Sequence, residues 1–329
     1  MSALTLVQRV RSLFRRYAKT VLTSGLFVGT LTAMVLLIVQ NWESLRGFQW
    51  HLMPGFLVLA FFCHAGSLFG TFVVWRSIMV QLGSPVDTGV DFRIFFISLG
   101  ARKVPSAIWY AGTRLVLYAH EGVKPSLVLS ALSLELVIAI LTGVWTFVLF
   151  QPYYIFLGNY SGAIDRGVLV TVSLLSIPIL VFPQLPAELI QRIRRRWHKD
   201  SSIFTFTLNH TSVLIWSLVY LLAWIIGGTS FYCTIRALIP DSGIDWINSL
   251  GVATLSTLIA LLNAVLPAGV GLKEIAIGLM LQNWLPMPIG LLIGLAYRIL
   301  QTLDEVLWVG TAYILSKLDA KRKNNPKEV

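Results

Sequence analysis

Charged residues are scarce in this sequence. Only 12% of the 329 residues are Asp, Glu, Lys or Arg, whereas 56% are hydrophobic and the mean hydropathy is +0.75. A soluble domain with this composition would have to expose a very large apolar surface. Uncharged runs of about 20 residues recur along the chain, long enough for helices that cross a bilayer and too long for barrel strands. The sequence therefore predicts an all-α polytopic membrane protein, with residues 1–329 forming a single transmembrane domain.

Catalytic and metal-binding motifs are also lacking. The two cysteines, Cys63 and Cys233, lie in apolar segments without neighbours at metal-ligand spacing. The chain has no Ser/His/Asp or Cys/His set and no nucleotide-type glycine loop, and its loops are too short for a soluble catalytic domain. We therefore predict no catalytic residues, no metal and no cofactor. An intramembrane glycolipid transferase that uses only a few carboxylates remains an alternative.

Basic residues outnumber acidic ones, giving a net charge of +11. Most of them lie in short groups beside apolar runs, at Arg9–Lys19, Arg76 and Arg93, Arg192–Lys199, and Lys317–Lys327. Basic residues beside membrane helices mark the cytoplasmic side, so this charge does not indicate a nucleic acid partner. The pattern predicts the cytoplasmic (inner) membrane, with both basic tails, 1–19 and 317–329, in the cytoplasm.

The charge rule also predicts a topology. Six full spans are expected, at residues 20–41, 53–75, 127–150, 167–187, 210–235 and 287–316. Two apolar segments are left over, 91–121 and 246–286, and each must begin and end on one side, so we predict two re-entrant helical hairpins. Irregular backbone at that depth is tolerated only where it lines a protein-enclosed or watery cavity. Residues 53–150 and 210–316 then form the halves of an inverted repeat.

Several charged residues fall inside apolar stretches. Each costs about 2.5 to 3.5 kcal/mol at the centre of a membrane helix, so such residues usually serve a function. In the last stretch Gln301, Asp304 and Glu305 follow Arg298. The residues predicted to bind a substrate at membrane depth are Arg102, Lys103, Pro105, Trp109, Arg114, Glu135, Pro267, Gly269, Gly271, Lys273, Glu274 and Arg298. This constellation indicates a protein that handles a charged molecule within a bilayer.

Each predicted hairpin breaks at a proline-containing tip. The glycines after Pro267 allow a tight turn, and a helix beginning at Leu272 would present free amides to an anion. An ordinary helix–turn–helix break, with Lys273 and Glu274 paired near the surface, is the alternative. The region around Pro105 is either a second tip or a cytoplasmic loop, and Trp109 either lines the cavity or anchors at the interface.

Glu135 and Arg298 occupy matching positions after the two tip prolines. Because each would be costly to bury alone, we expect them to pair across the two halves. Arg114 is the alternative partner of Glu135, and a role in coupling or gating is a further reading of this carboxylate. We expect Asp304 and Glu305 to have other partners, and His64 and His210 to be satisfied helix-packing or interfacial histidines.

The segment Pro267-Ala-Gly-Val-Gly-Leu-Lys-Glu274 resembles a Pro-Gly-Gly-Ile-Gly-Val-Arg-Glu signature. That signature belongs to flippase-like proteins related to the transmembrane region of lysylphosphatidylglycerol synthase. The Tyr297-Arg298 pair also fits this family. Ala268 and Lys273 depart from the signature, and the lysine matters more because it cannot grip a phosphate bidentately.

The first half resembles the branch of this family found among polysaccharide and glycolipid gene products. The residues that carry this resemblance are Pro105-Ser-Ala-Ile-Trp109, Gly112-Thr-Arg114, Gly122-Val123 and Glu135, with Ser106 in place of glycine. The resemblance implies translocation of an anionic lipid, either a phospholipid or a polyprenyl-phosphate-linked sugar. It also allows a non-catalytic accessory role with a membrane glycosyltransferase as partner.

Overall fold

The computed structural model describes residues 36, 39–40, 42–48, 51–101, 108–150, 209–262 and 271–324. Secondary structure within these ranges is helical, and no β-strand occurs in them. The helices are α1 (Trp42–Arg46), α2 (Pro54–Gln81), α3 (Thr88–Gly100), α4 (Ile108–His120), α5 (Pro125–Leu149), α6 (His210–Leu238), α7 (Trp246–Leu262), α8 (Leu272–Leu281) and α9 (Met287–Asn324). The predicted all-α class is confirmed for this part of the chain.

Three of these helices, α2, α5 and α6, are long and apolar enough to cross a membrane. They correspond to the spans predicted at 53–75, 127–150 and 210–235. Proline occupies the first turn of α2 and of α5, where its missing N–H costs nothing. These three helices give the described part of the chain the character of a helical membrane protein. The predicted spans 20–41 and 167–187 lie almost entirely outside the described residues.

The two leftover segments each contain a pair of short helices, α3 with α4 and α7 with α8. Helices α3 and α4 have 13 residues each, which is about 20 Å of axial length and less than the ~30 Å of a hydrocarbon core. The Asp87 carboxylate begins α3 by accepting a 2.9 Å hydrogen bond from the Val90 amide. The predicted tip at 103–107 lies outside the described residues, and so does the tip at 266–271 apart from Gly271.

Helix α9 is longer than the predicted span 287–316. It has 38 residues and continues to Asn324, so the first part of the predicted basic tail is helical. The residues after Leu315 include lysine, leucine, alanine and arginine, which are good helix formers, and a helix-breaking proline comes only at Pro326.

Helices α2 and α6 are antiparallel and lie at the centre of the structure. The Ser230 hydroxyl donates to the Ala60 carbonyl at 2.6 Å, and the Ser67 hydroxyl donates to the Ala223 carbonyl at 2.7 Å. A residue later in α2 thus meets a residue earlier in α6. The backbone amide of Met53 also donates to the Ala237 carbonyl at 2.8 Å. Small side chains along this contact bring the two backbones close together.

The other helices pack around this central pair, and their contacts in the first half have counterparts in the second half. Helix α3 packs on α9 and α7 packs on α5; likewise α5 packs on α6 and α9 packs on α2. Exchanging α2, α3, α4 and α5 for α6, α7, α8 and α9 turns each extensive contact among these helices into an observed contact, and the α2–α6 contact into itself. Stacked aromatic rings fill the α3–α9 contact, where Phe96 and Trp308 have centroids 4.4 Å apart.

Candidate functional site

A cluster of polar side chains joins the start of α8 to the middle of α9. Gly271 has a φ of 89°, a conformation that favours glycine, and α8 begins at the next residue as predicted. The Glu274 carboxylate accepts a 2.7 Å hydrogen bond from the Gly271 amide through Oε2. Its other oxygen, Oε1, accepts a 2.7 Å hydrogen bond from Nη1 of Arg298. One buried carboxylate therefore both caps α8 and pairs with a cation on α9.

Lys273 lies beside this ion pair. Its ammonium donates to Oε1 of Gln301 at 3.1 Å and stands 4.9 Å from the centre of the Tyr297 ring. The side chain of Arg298 is 25% exposed, whereas that of Glu274 is only 1% exposed. Lys273 is half-buried, so both cations of this cluster are partly accessible, whereas the carboxylate that pairs with Arg298 is buried.

Glycines allow α8 and α9 to approach closely enough for these contacts. A Cβ added at Gly294 would lie 3.2 Å from the Cα of Glu274, and one added at Gly290 would lie 3.0 Å from the Cα of Gly278. These are backbone contacts that a larger residue would force apart. The close approach allows Arg298, one turn after Gly294, to reach the Glu274 carboxylate.

A second polar network surrounds Arg114 in the first half. The Arg114 side chain is fully buried; its Nη1 donates to Oε2 of Glu135 at 2.9 Å, and its Nε donates to the Ser98 hydroxyl at 3.0 Å. Its guanidinium carbon lies 3.9 Å from the centre of the Trp75 ring and 4.4 Å from that of Phe95. Nη2 has no hydrogen-bond partner among the described residues, and the surrounding ring faces are what it meets instead.

The prediction that Glu135 pairs with Arg298 is wrong. Glu135 uses Oε2 for Arg114 and accepts a 3.3 Å hydrogen bond from the Tyr220 hydroxyl through Oε1, while Arg298 binds Glu274. The alternative partner, Arg114, is the one observed. The alternative pairing of Lys273 with Glu274 near the surface is wrong as well, because Glu274 is buried against Arg298. These two carboxylates therefore each pair with an arginine of the same half: Glu135 on α5 with Arg114, and Glu274 on α8 with Arg298.

A third polar group extends the Arg114 network toward the C-terminal end of α2. Arg76 pairs with Asp91, whose Oδ1 accepts a 2.7 Å hydrogen bond from the Tyr118 hydroxyl. That hydroxyl in turn accepts a 2.8 Å hydrogen bond from Nε1 of Trp75. The charge pattern of the sequence places Arg76 only on the cytoplasmic side and does not predict this pair. A signal was present, because Asp91 is an acid that directly precedes an apolar run.

Asp304 pairs with His64. Oδ2 of Asp304 lies 2.6 Å from Nδ1 of His64, and both residues are buried. The expectations that His64 is satisfied and that Asp304 has its own partner are confirmed. Their contact with each other could not be predicted, since 240 residues separate them.

Only some predicted site residues can be placed. Gly271, Lys273, Glu274 and Arg298 are brought together, and Arg114 with Glu135 forms the separate network of the first half. The backbone of Trp109 belongs to α4. Five predicted residues lie outside the described ranges, namely Arg102, Lys103, Pro105, Pro267 and Gly269. Substrate contact by any of these residues stays a prediction.

No family model matches this chain, and no curated protein matches it.

Proposed function

We propose that this protein translocates an anionic lipid between the leaflets of the cytoplasmic membrane, and that Lys273 and Arg298 bind the phosphate of its headgroup. The observation that carries this proposal is the partly exposed pair of cations at the start of α8. Arginine and lysine are the side chains that bind phosphate through charge-assisted hydrogen bonds. Since the carboxylate that pairs with Arg298, that of Glu274, is buried, a phosphate can approach the exposed part of Arg298 without meeting it.

The resemblance to flippase-like proteins supports the same substrate class. In the segment ending at Glu274, the glycine, the cation and the glutamate each have a separate role in the structure. Gly271 makes the turn, Lys273 offers its ammonium, and Glu274 fixes the helix start against Arg298. We assign the direct lipid contacts to Lys273 and Arg298 rather than to Arg114, because Arg114 has no exposed surface.

The proposed architecture is an inverted repeat of residues 53–150 and 210–316. Two observations support it: the antiparallel packing of α2 on α6, and the exchange of helix contacts between the two sets of four helices. A two-fold axis in the membrane plane would relate two such sets. In this arrangement the two pairs of short helices enter from opposite sides and enclose the lipid-binding cavity.

The topology can be tested by labelling single cysteines in a background without Cys63 and Cys233. We propose six full spans and two re-entrant hairpins, which place Glu121 and Lys317 in the cytoplasm and Asp241 outside. All three side chains are exposed. Cysteines at the first two positions should react with a membrane-impermeant maleimide only after the cells are opened, and one at Asp241 should react in intact cells. Reaction of the Glu121 position in intact cells would contradict the inverted topology.

Translocation can be measured in liposomes that contain fluorescent phosphatidylglycerol labelled with nitrobenzoxadiazole. Dithionite destroys the fluorescence of the outer leaflet only, so inner-leaflet fluorescence survives in protein-free liposomes. With the reconstituted protein, all of the fluorescence should become accessible. Labelled phosphatidylcholine, which carries no net charge, is the control and should stay protected. A polyprenyl-phosphate sugar tested in the same way decides between the two lipid classes.

The same reconstituted sample separates the competing functions. An intramembrane glycolipid transferase would form a covalent product when a sugar donor is added. An accessory protein would show neither lipid movement nor product until its membrane glycosyltransferase partner is present. Protection of every lipid tested would overturn the translocation proposal.

A further inference from the structure

The pair formed by His64 and Asp304 lies deep in the structure and outside the proposed lipid-binding cluster. His64 is 6% exposed and Asp304 is 1% exposed. His64 is the eleventh residue of α2, about 15 Å along the axis from Pro54 and hence about half of the ~30 Å hydrocarbon thickness. Ionisable residues at that depth are rare, and in transporters they often carry protons.

We propose that the His64–Asp304 pair is the binding site for a proton that moves together with the anionic lipid. This inference rests on the proposed translocation and adds its energy source. With His64 neutral and Asp304 ionised, the pair carries one negative charge; one bound proton makes it neutral overall. The 2.6 Å separation of Nδ1 and Oδ2 allows both side chains to hold that proton in one hydrogen bond.

Among the residues that the structure describes, few groups beside the pair could neutralise its negative charge. On α2 the neighbouring titratable residue is Cys63, and on α6 it is Cys233. On α9 the ring of Tyr297 lies 6.5 Å from the His64 ring, centre to centre, and Glu305 follows Asp304 directly. These groups are neutral or acidic in their ordinary forms.

The described charges on the helices packed beside α2 and α9 have interactions of their own. On α3, Asp91 pairs with Arg76, and Arg93 also has a partner. Glu135 on α5 pairs with Arg114, and Glu274 on α8 pairs with Arg298. Among the cations that the structure describes, Lys273 is the one whose contacts lead to the pair.

Lys273 links the proton site to the lipid site through two contacts. Its ammonium binds Gln301, which lies three residues before Asp304 and thus on the same face of α9. It also stands over the Tyr297 ring, whose centre lies 6.5 Å from that of the His64 ring. These two contacts connect Lys273 to the pair.

This linkage fixes the direction of coupling. A phosphate that binds Lys273 neutralises its charge, so the unprotonated pair loses its stabilising cation and proton binding becomes more favourable. By thermodynamic reciprocity, a proton on the pair also favours phosphate binding. One proton and one singly charged lipid then move in the same direction, and no net charge crosses the membrane.

The test uses full-length protein in liposomes with labelled phosphatidylglycerol and a pH difference of one unit across the membrane. Labelled lipid should gather in the leaflet facing the more alkaline side, up to about tenfold at equilibrium. A potassium gradient with valinomycin should not change this distribution, because the cotransport is electroneutral. A distribution that follows the membrane potential and ignores the pH difference would overturn the inference.

Variants assign the effect to the pair. His64→Gln and Asp304→Asn should each abolish the response to the pH difference, whereas the exposed-residue controls His210→Gln and Asp241→Asn should keep it. An unchanged response in either pair variant would overturn the inference. If a variant does not fold, the distribution of labelled lipid that the wild-type protein produces under the pH difference decides the test. If labelled lipid does not move at equal pH on both sides, the proposed translocation fails instead.

A second measurement does not depend on translocation. Short-chain phosphatidylglycerol is added to the detergent-solubilised protein in weak buffer with a pH indicator. The wild-type protein should take up about one proton per bound lipid. Lipid binding without proton uptake would overturn the inference even where lipid movement is observed.

Discussion

Replacing either Glu135 or Arg114 with glutamine should lower the free energy of unfolding in detergent by about 3 to 5 kcal/mol. Each substitution leaves the opposite charge buried without its partner, since Arg114 is 0% exposed and Glu135 is 8% exposed. The aromatic rings around Arg114 cannot replace the lost carboxylate. Thermal or denaturant unfolding of the purified variants measures the effect.

The double variant Arg114→Gln/Glu135→Gln should recover much of this loss, because no uncompensated charge remains. The matched control is Glu135→Gln/Arg298→Gln, whose two residues belong to different ion pairs. Its losses should add to within about 0.5 kcal/mol, as expected for sites without shared partners. Recovery in the control instead of in the first double variant would show that the charges pair across the halves after all.

Replacing Lys273 with glutamine should reduce translocation of labelled phosphatidylglycerol about tenfold or more. A hydrogen bond to a charged group contributes about 1.5 to 3 kcal/mol, and 1.4 kcal/mol corresponds to a factor of ten. Gln301 and the Tyr297 ring, which Lys273 contacts directly, are uncharged, so neither becomes a buried charge without a partner when the lysine is replaced. The initial rate of dithionite access measures the effect.

Two further variants make this result specific. Lys273→Arg should retain most of the rate, since arginine binds phosphate with a planar fork of donors. Lys317→Gln removes an exposed lysine from the far part of the same helix and should leave the rate unchanged. An equal loss in Lys317→Gln would show that general surface charge, and not the cluster at α8, attracts the lipid.

The helices were predictable because their signals are local. Runs of uncharged residues, the prolines at the starts of α2 and α5, and the glycine before Leu272 all act within a few residues. Helix α9 continues past the predicted span 287–316, because the lysines and the arginine that mark the cytoplasmic side of a membrane are also good helix formers.

The candidate site could be predicted only in part. The sequence indicated that Lys273, Glu274 and Arg298 belong to one site, since two of them follow a glycine turn and the third is a cation inside an apolar stretch. It could not indicate that Glu274 binds Arg298. That choice depends on the close crossing of α8 and α9 at their glycines.

Composition and local pattern determined the helical membrane character of this protein, the helix start after Gly271, and the identity of its costly charges. The tertiary structure decided which charges neutralise one another. Helical periodicity places Glu135 on one face of α5, but the partner on that face is set by the packing of α4, which brings Arg114 within 2.9 Å. A buried charge requires a partner in contact, and contacts between distant segments arise only when the helices pack.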